Sequence, residues 1–169
     1  MGELAEFGCG TGYFTETIIQ KANHLVATDL SDELLEVARQ RFNQNPNITF
    51  QKENCMASSF TSEKFDSVFM ANLIHVVENP IKVLQECHRI LKNGGMLIIV
   101  TFTNYGMNLK EKIKLGIRFL KTWGKPPQHT HAFSPEKLAS LMEDSGFTID
   151  KSKLIGYKTK ALYLVGKKS

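Results

Sequence analysis

Within its first twelve residues the chain passes from a short strand-like stretch, Glu3 to Phe7, directly into Gly8-Cys9-Gly10-Thr11-Gly12. Glycines let the backbone turn sharply and leave no Cβ between the main chain and an approaching ligand. A glycine turn of this kind, leading from strand to helix, belongs at the carboxyl edge of a parallel α/β sheet. The residues that follow keep to that pattern. Phe14, Ile18 and Ile19 recur at helical spacing within 13–22. His24 to Thr28 reads as a second strand, ended by Asp29. Ser31 is placed to cap a second helix whose apolar side is Leu34, Leu35, Val37, Ala38 and Phe42. Asn45-Pro46-Asn47 then breaks the chain.

Ile48 to Lys52 reads as a third strand. Phe65 to Ala71 is a fourth, nearly all apolar, as a strand buried on both faces should be. Pro80 suits the first turn of a helix running to Leu91, Asn93-Gly94-Gly95 closes it, and Met96 to Phe102 makes a fifth strand. The spacing predicts a helix over 108–121, another from Pro135 to Asp144, and two last strands, Phe147 to Leu154 and Lys160 to Gly166. Strand and helix alternate over roughly the first hundred residues, which predicts a doubly wound sheet of parallel strands joined by right-handed crossovers. Ile155-Gly156-Tyr157 is too short for a crossover, so the last two strands should pair antiparallel.

The chain has 169 residues, which suggests one domain spanning 1–169. That length buries roughly 70% of the surface the unfolded chain exposes, so disulfides are not needed. None of Cys9, Cys55 and Cys87 lies in a Cys-x-x-Cys pair, and neither zinc nor dithiol chemistry is supported. The longest apolar run, Met96 to Val100, is far short of a membrane span. The first residues lack the charged and apolar regions of a signal peptide, and Glu6 stands where myristoylation needs Ser or Thr. A cytoplasmic protein is expected. A net charge of +4 is too mild to demand nucleic acid.

The glycine turn opens a helix whose free N–H groups can hold an anionic carboxylate or phosphate. Asp29, at the end of the next strand, can accept both hydroxyl protons of a ribose. A dinucleotide fingerprint counted from Gly8 would put its third small residue at Tyr13, whose bulk is expected to prevent close helix–strand packing, so a nicotinamide dinucleotide is disfavoured. No Gly-Lys-Ser/Thr follows, which excludes a Walker A loop.

Glu6-Phe7-Gly8-Cys9-Gly10-Thr11-Gly12 resembles motif I, E/D-x-G-x-G-x-G, of the class I S-adenosylmethionine (SAM)-dependent methyltransferases. Val26-Ala27-Thr28-Asp29-Leu30-Ser31 is similar to that family's second strand with its ribose-binding acid. Phe65-Asp66-Ser67-Val68 resembles its FD-x-V block. Pro80 through Gly95, with Leu84, Glu86, Arg89 and Leu91-Lys92-Asn93-Gly94-Gly95, is similar to P-x-x-x-L-x-E-x-x-R-x-L-K-P-G-G. Phe133-Ser134-Pro135-Glu136-Lys137-Leu138 and Ser145-Gly146-Phe147 resemble its F-S-x-E-E-L and A-G-F. Within the family the chain looks most like the methyltransferase type 11 group, which includes the ubiquinone/menaquinone C-methylases.

The resemblance implies a Rossmann-like seven-stranded sheet of order 3-2-1-4-5-7-6, strand seven antiparallel, with helices on both faces. It implies SAM as cofactor and S-adenosylhomocysteine as its product. Residue by residue, Gly8, Cys9, Gly10, Thr11 and Gly12 would line the methionine part of SAM, and Glu6 would orient the loop and the ligand's amino group. Asp29 would bind the ribose hydroxyls and Leu30 would pack on adenine. The family's adenine-contacting Asp falls on Asn54, with Glu53 a competing candidate; Cys55 would offer its backbone N–H and Met56 would pack nearby. Asn72 is counted with the cofactor wall. The family also carries one or two helices before its first strand, and here strand one begins almost at once, so a less closed pocket is expected.

Methyl transfer asks mainly for alignment of a nucleophile and exclusion of water. A base helps only when the nucleophile is protonated. His75, after strand four, is the base candidate; the other reading is a hydrogen-bonded histidine that fixes its loop. Tyr13 and His131 are candidates for an acceptor pocket. His129 and His131 have no evident third ligand, so no metal is expected. Asn72 is not followed by Pro-Pro-Tyr, and no cysteine follows a proline, which leans away from nucleic acid. A small-molecule acceptor is the leading expectation. RNA or protein methylation and a non-catalytic SAM- or nucleoside-binding module stay open. The 109–121 segment, apolar at Leu109, Ile113, Ile117 and Leu120 and otherwise rich in lysine, reads either as a lid helix with a solvated basic side or as a surface for lipid headgroups or an anionic substrate.

Overall fold

The computed structural model describes residues 2–124, 128–156 and 159–169. One sheet collects β1 (Glu3–Phe7), β2 (His24–Asp29), β3 (Ile48–Lys52), β4 (Phe65–Ala71), β5 (Leu91–Thr103), β6 (Phe147–Ile155) and β7 (Lys160–Lys168) in the order 3-2-1-4-5-7-6. β1 pairs in parallel with β2 on one side and β4 on the other. β7 runs antiparallel between β5 and β6. The crossovers go outward from β1 to β3, then return to β4. The switch point therefore lies beyond the carboxyl ends of β1 and β4, where the glycine loop emerges. Tyr157, at the last turn, lies outside the described residues.

The strand alternation divides the core. Val68 and Met70 of β4 face a large cluster with Phe7, Phe65, Leu97 and Ile99, covered by α3 (Pro80–Ile90) and α5 (Pro135–Asp144). Phe69 faces a smaller cluster with Leu4, Leu25, Ala27 and Leu35, covered by α1 (Thr15–Ile18) and α2 (Asp32–Arg41). Several blocks of the resemblance serve this framework. Asp66 accepts the Glu3 N–H at 2.7 Å and the Lys92 ammonium at 2.8 Å, which ties β4 to β1 and to the 92–95 turn. Glu86 binds Arg89 at 2.7 Å and accepts the Ser58 N–H at 2.8 Å, which fastens the long loop before β4 to α3.

Some expectations need correction. The helix expected over 13–22 is only α1, continued by one 3₁₀ turn over Ile19–Lys21. Tyr13 is 75% exposed and edge-on to Phe14, so its bulk does not bear on the helix–strand contact; Thr15, two residues on, is the wholly buried residue and donates to Glu6. Ser31 caps α2, accepting the Leu34 N–H, but only Leu35 and Ala38 of that helix are buried, and Leu34 and Val37 face solvent. Strand β5 starts earlier than Met96. Leu91 pairs with Phe65, the next pairing is Met96 with Ser67, and 92–95 bulges out with Gly94 at φ 74°. Asn93-Gly94-Gly95 is still the turn, because glycine alone takes that φ without strain.

Candidate functional site

The three loop glycines all have positive φ: 73° at Gly8, 54° at Gly10 and 83° at Gly12. What lies beside each is different. A Cβ on Gly8 would come within 3.2 Å of Leu73, so the loops after β1 and β4 touch there. A Cβ on Gly12 would meet the Phe42 ring at 2.5 Å, so this glycine makes room for the end of α2. A Cβ on Gly10 would meet nothing within 4 Å among the described residues beyond its chain neighbours. Gly10 thus presents bare backbone to open space, the condition a ligand's close approach requires. Cys9 lies under the loop, 6% exposed, with its N–H spent on the Thr28 carbonyl at 2.9 Å. Burial, together with the Glu6 and Asp29 charges, pushes its thiol up to about 12, so it is no nucleophile. Thr11 is exposed on the loop.

Asp29 stands at the carboxyl end of β2 with one carboxylate oxygen accepting the Gly10 N–H at 2.9 Å and the other the Ser31 N–H at 3.0 Å. It therefore holds the loop in shape, and each oxygen keeps a further lone pair for hydroxyl donors. Leu30 beside it is 58% exposed, an apolar surface next to an acid.

Glu6 is 2% exposed and accepts the Thr15 hydroxyl at 2.6 Å. Burial, reinforced by the Asp29 charge, pushes its carboxyl up to about 7. It supports the loop from below. A native carboxyl that titrates near 7 instead of 4.5 keeps a proton that the unfolded chain releases between those values. Stability should therefore fall as pH rises from 4.5 to 7, by roughly 3 kcal/mol in total, and level off above. Glu6→Gln can still accept from Thr15. Denaturant titrations at pH 5 and 8 should show the wild type losing stability relative to Glu6→Gln as pH rises, because the rise contributed by histidines held below their ordinary value, such as His75, is common to both proteins.

The loop after β3, where adenine contacts are expected, is held by its own hydrogen bonds. The Asn54 side-chain oxygen accepts the Met56 N–H at 2.9 Å and so builds its own turn. Glu53 is turned away, accepting the Ser59 N–H at 2.8 Å and the Gln51 amide at 2.6 Å. Cys55 is buried, and burial pushes its thiol up to about 11. Asn72, at φ 53°, closes the ends of β4 and β5: its N–H donates to the Val100 carbonyl and its side-chain oxygen accepts the Phe102 N–H.

His75 and His131 come together. The His131 N–H donates to the His75 carbonyl at 2.8 Å, and His131 Nε2 donates to the Val77 carbonyl at 2.9 Å. His75 Nδ1 lies 2.8 Å from the buried Thr101 hydroxyl. Burial, and then the neighbouring His131, lowers the His75 pKa below 6.5, so its ring is neutral at pH 7. Among the described residues nothing is hydrogen-bonded to His75 Nε2. Sequence reading missed Thr101 and Thr103. On β5 they continue the inward face of Leu97 and Ile99, and at the carboxyl edge that face turns from apolar to hydroxyl. Thr103 donates to the Phe133 carbonyl at 2.6 Å and so fastens the segment that carries His131. No hydrogen bond or ring contact joins Tyr13 to either histidine among the described residues. Among the described residues no group of three or more His, Cys, Asp or Glu is gathered for a metal.

Residues 5–99 match the family model described as a methyltransferase domain. The chain is 31% identical over 155 residues to a malonyl-acyl-carrier-protein O-methyltransferase of Paenibacillus sp., covering 86% of this chain and 55% of that one. It is 30% identical over 106 residues to a demethylmenaquinone methyltransferase of Bacteroides fragilis, covering 60% and 43%. It spans about half the length of these curated relatives. A SAM-dependent methyltransferase from Methanosarcina mazei has the same fold, with a TM-score of 0.80 at 21% identity over 98% of this chain and 92% of that one. So does a 4+2 cyclase, with a TM-score of 0.78 at 14% identity, over 98% and 75%.

Proposed function

The chain belongs to the methyltransferase-domain family, and from that premise we propose that it transfers a methyl group from SAM to the oxygen, nitrogen or carbon of a small-molecule acceptor. The observation that carries the reading is Gly10, bare toward open space and clamped by the carboxylate of Asp29. The donor set fits SAM: a loop that a Cβ would obstruct, an acid for ribose hydroxyls, and exposed Leu30 as a platform for adenine. Asn54 keeps one lone pair for the adenine amine beyond its own turn. Bound there, SAM supplies a methyl already activated by its sulfonium.

The remaining work falls to the chain's own residues. Leu73 against Gly8 brings the His75 loop beside the glycine loop. Thr101 holds His75 by Nδ1, and in the tautomer where Nδ1 donates to Thr101, Nε2 accepts a proton from an acceptor hydroxyl or acidic carbon. The demethylmenaquinone and malonyl-acyl-carrier-protein enzymes among the relatives support an acceptor outside nucleic acid. A shared fold does not fix the reaction, as the cyclase neighbour illustrates, so binding and turnover need separate tests.

Calorimetric titration with SAM and S-adenosylhomocysteine tests the first, and methyl transfer to a panel of small acceptors the second. Asp29→Ala should weaken SAM by about 1.5–3 kcal/mol, the range for hydrogen bonds to a charged group. The same change removes the acceptor of two loop N–H groups, so Asp29→Asn, which keeps one acceptor oxygen, should lose less. Unchanged affinity in a folded Asp29→Ala protein would remove SAM from this loop.

A further inference from the structure

Helix α4 (Leu109–Trp123), inserted after β5, is capped as a free-standing helix: Asn108 accepts the Glu111 N–H and the Glu111 carboxylate accepts the Asn108 N–H. At about 100° per residue, Leu109, Ile113, Ile117 and Leu120 fall on one stripe. They are 73%, 55%, 50% and 60% exposed. Half-buried Leu115 lies on roughly the opposite side, so the stripe is turned away from the protein. Lys110, Lys114 and Lys121 border one flank of the stripe, Lys112 the other, and Arg118 lies farther round; all are exposed. Glu111 is the only acid in the helix, and its carboxylate is held in the cap.

We propose that α4 seats the protein on an anionic lipid bilayer, with the apolar stripe at the acyl boundary and the lysines among the headgroups. Charge selects this occupant. Five cations against one capped acid complement a negative surface. A second copy on the same stripe would set the two cationic borders against each other, and like charges in apposition disfavour that pairing. Lysines on both flanks lay their apolar stems along the stripe and lift their ammonium groups to the headgroup level. The docking surface is separate from the cofactor loop and stands whether or not the chain transfers methyl groups.

Sedimentation of the full chain with vesicles tests it. At 0.1 M salt, vesicles of equal phosphatidylglycerol and phosphatidylcholine should carry the protein down at least about tenfold better than phosphatidylcholine alone. Raising salt to about 0.5 M should cost roughly tenfold of that binding. The paired substitution Ile113→Asp and Ile117→Asp, at exposed positions that leave the circular dichroism spectrum unchanged, should cost at least about tenfold. Lys110→Gln with Lys114→Gln and Lys121→Gln should abolish the preference for anionic vesicles. The proposal is overturned by failure to sediment with anionic vesicles, by equal binding to both vesicle types, or by unchanged binding of the Ile113 and Ile117 variant. It is equally overturned if the wild type is a dimer in vesicle-free buffer and the same variant is a monomer, since the stripe is then an interface between copies.

Discussion

Gly10→Val is expected to abolish SAM binding while the protein stays folded. Gly10 has φ 54°, a region that costs a non-glycine residue of the order of 1–2 kcal/mol and a β-branched one more. A domain of this size tolerates such a loss, with a fall of a few degrees in Tm. Apart from its chain neighbours, no atom of the described residues lies within 4 Å of the new Cβ, so the valine methyls project into the open space beside the clamp of Asp29. If that space is the ligand's path, they exclude it, and titration calorimetry should detect no binding, a loss of a thousandfold or about 4 kcal/mol at the least. The neighbouring glycines are controls of a different kind. Gly12→Ala drives a Cβ into Phe42, and Gly8→Ala presses Leu73, so both should act mainly on stability. Gly10→Ala separates strain from obstruction, since it carries the same φ cost with far less bulk. Normal SAM binding by folded Gly10→Val would mean that the loop is only structural.

Most strand limits were legible because they rest on local signals, namely apolar runs, glycine and proline stops, and connection lengths, whereas the sheet order was implied by the resemblance of the sequence blocks to the methyltransferase family. Ser31 as a cap and the antiparallel end are of that kind. Side-chain partnerships across the chain were not. That Glu53 turns to Ser59 while Asn54 caps its own turn depends on the path of the 53–60 loop, which no periodicity encodes. Leu34 and Val37 are apolar at helical spacing yet exposed, because spacing shows which residues share a side and not how wide a side the sheet covers. Thr101 carried no signal at all. A threonine in a strand is ordinary, and its meaning comes only from His75, twenty-six positions away, meeting its hydroxyl.

His75→Gln is expected to lower kcat by a factor of about 10² or more with SAM affinity nearly unchanged. The ring has what a base needs: one nitrogen fixed by Thr101, the other with no hydrogen-bond partner among the described residues, and a charge state kept neutral by burial and by His131. Its lowered pKa sets the pH profile. Protonation removes the base, so turnover should fall on acidification, with its midpoint on the acid side of an ordinary histidine's. Glutamine can still bond to Thr101 but cannot take a proton, which separates chemistry from architecture. Thr101→Val should then reduce kcat less than His75→Gln does, because it loosens the ring without removing it. A fall in SAM affinity together with turnover would make His75 part of the cofactor wall. No change in either would leave His75 as the pin between the β4 loop and His131, through its carbonyl and Thr101, with catalysis resting on alignment and exclusion of water.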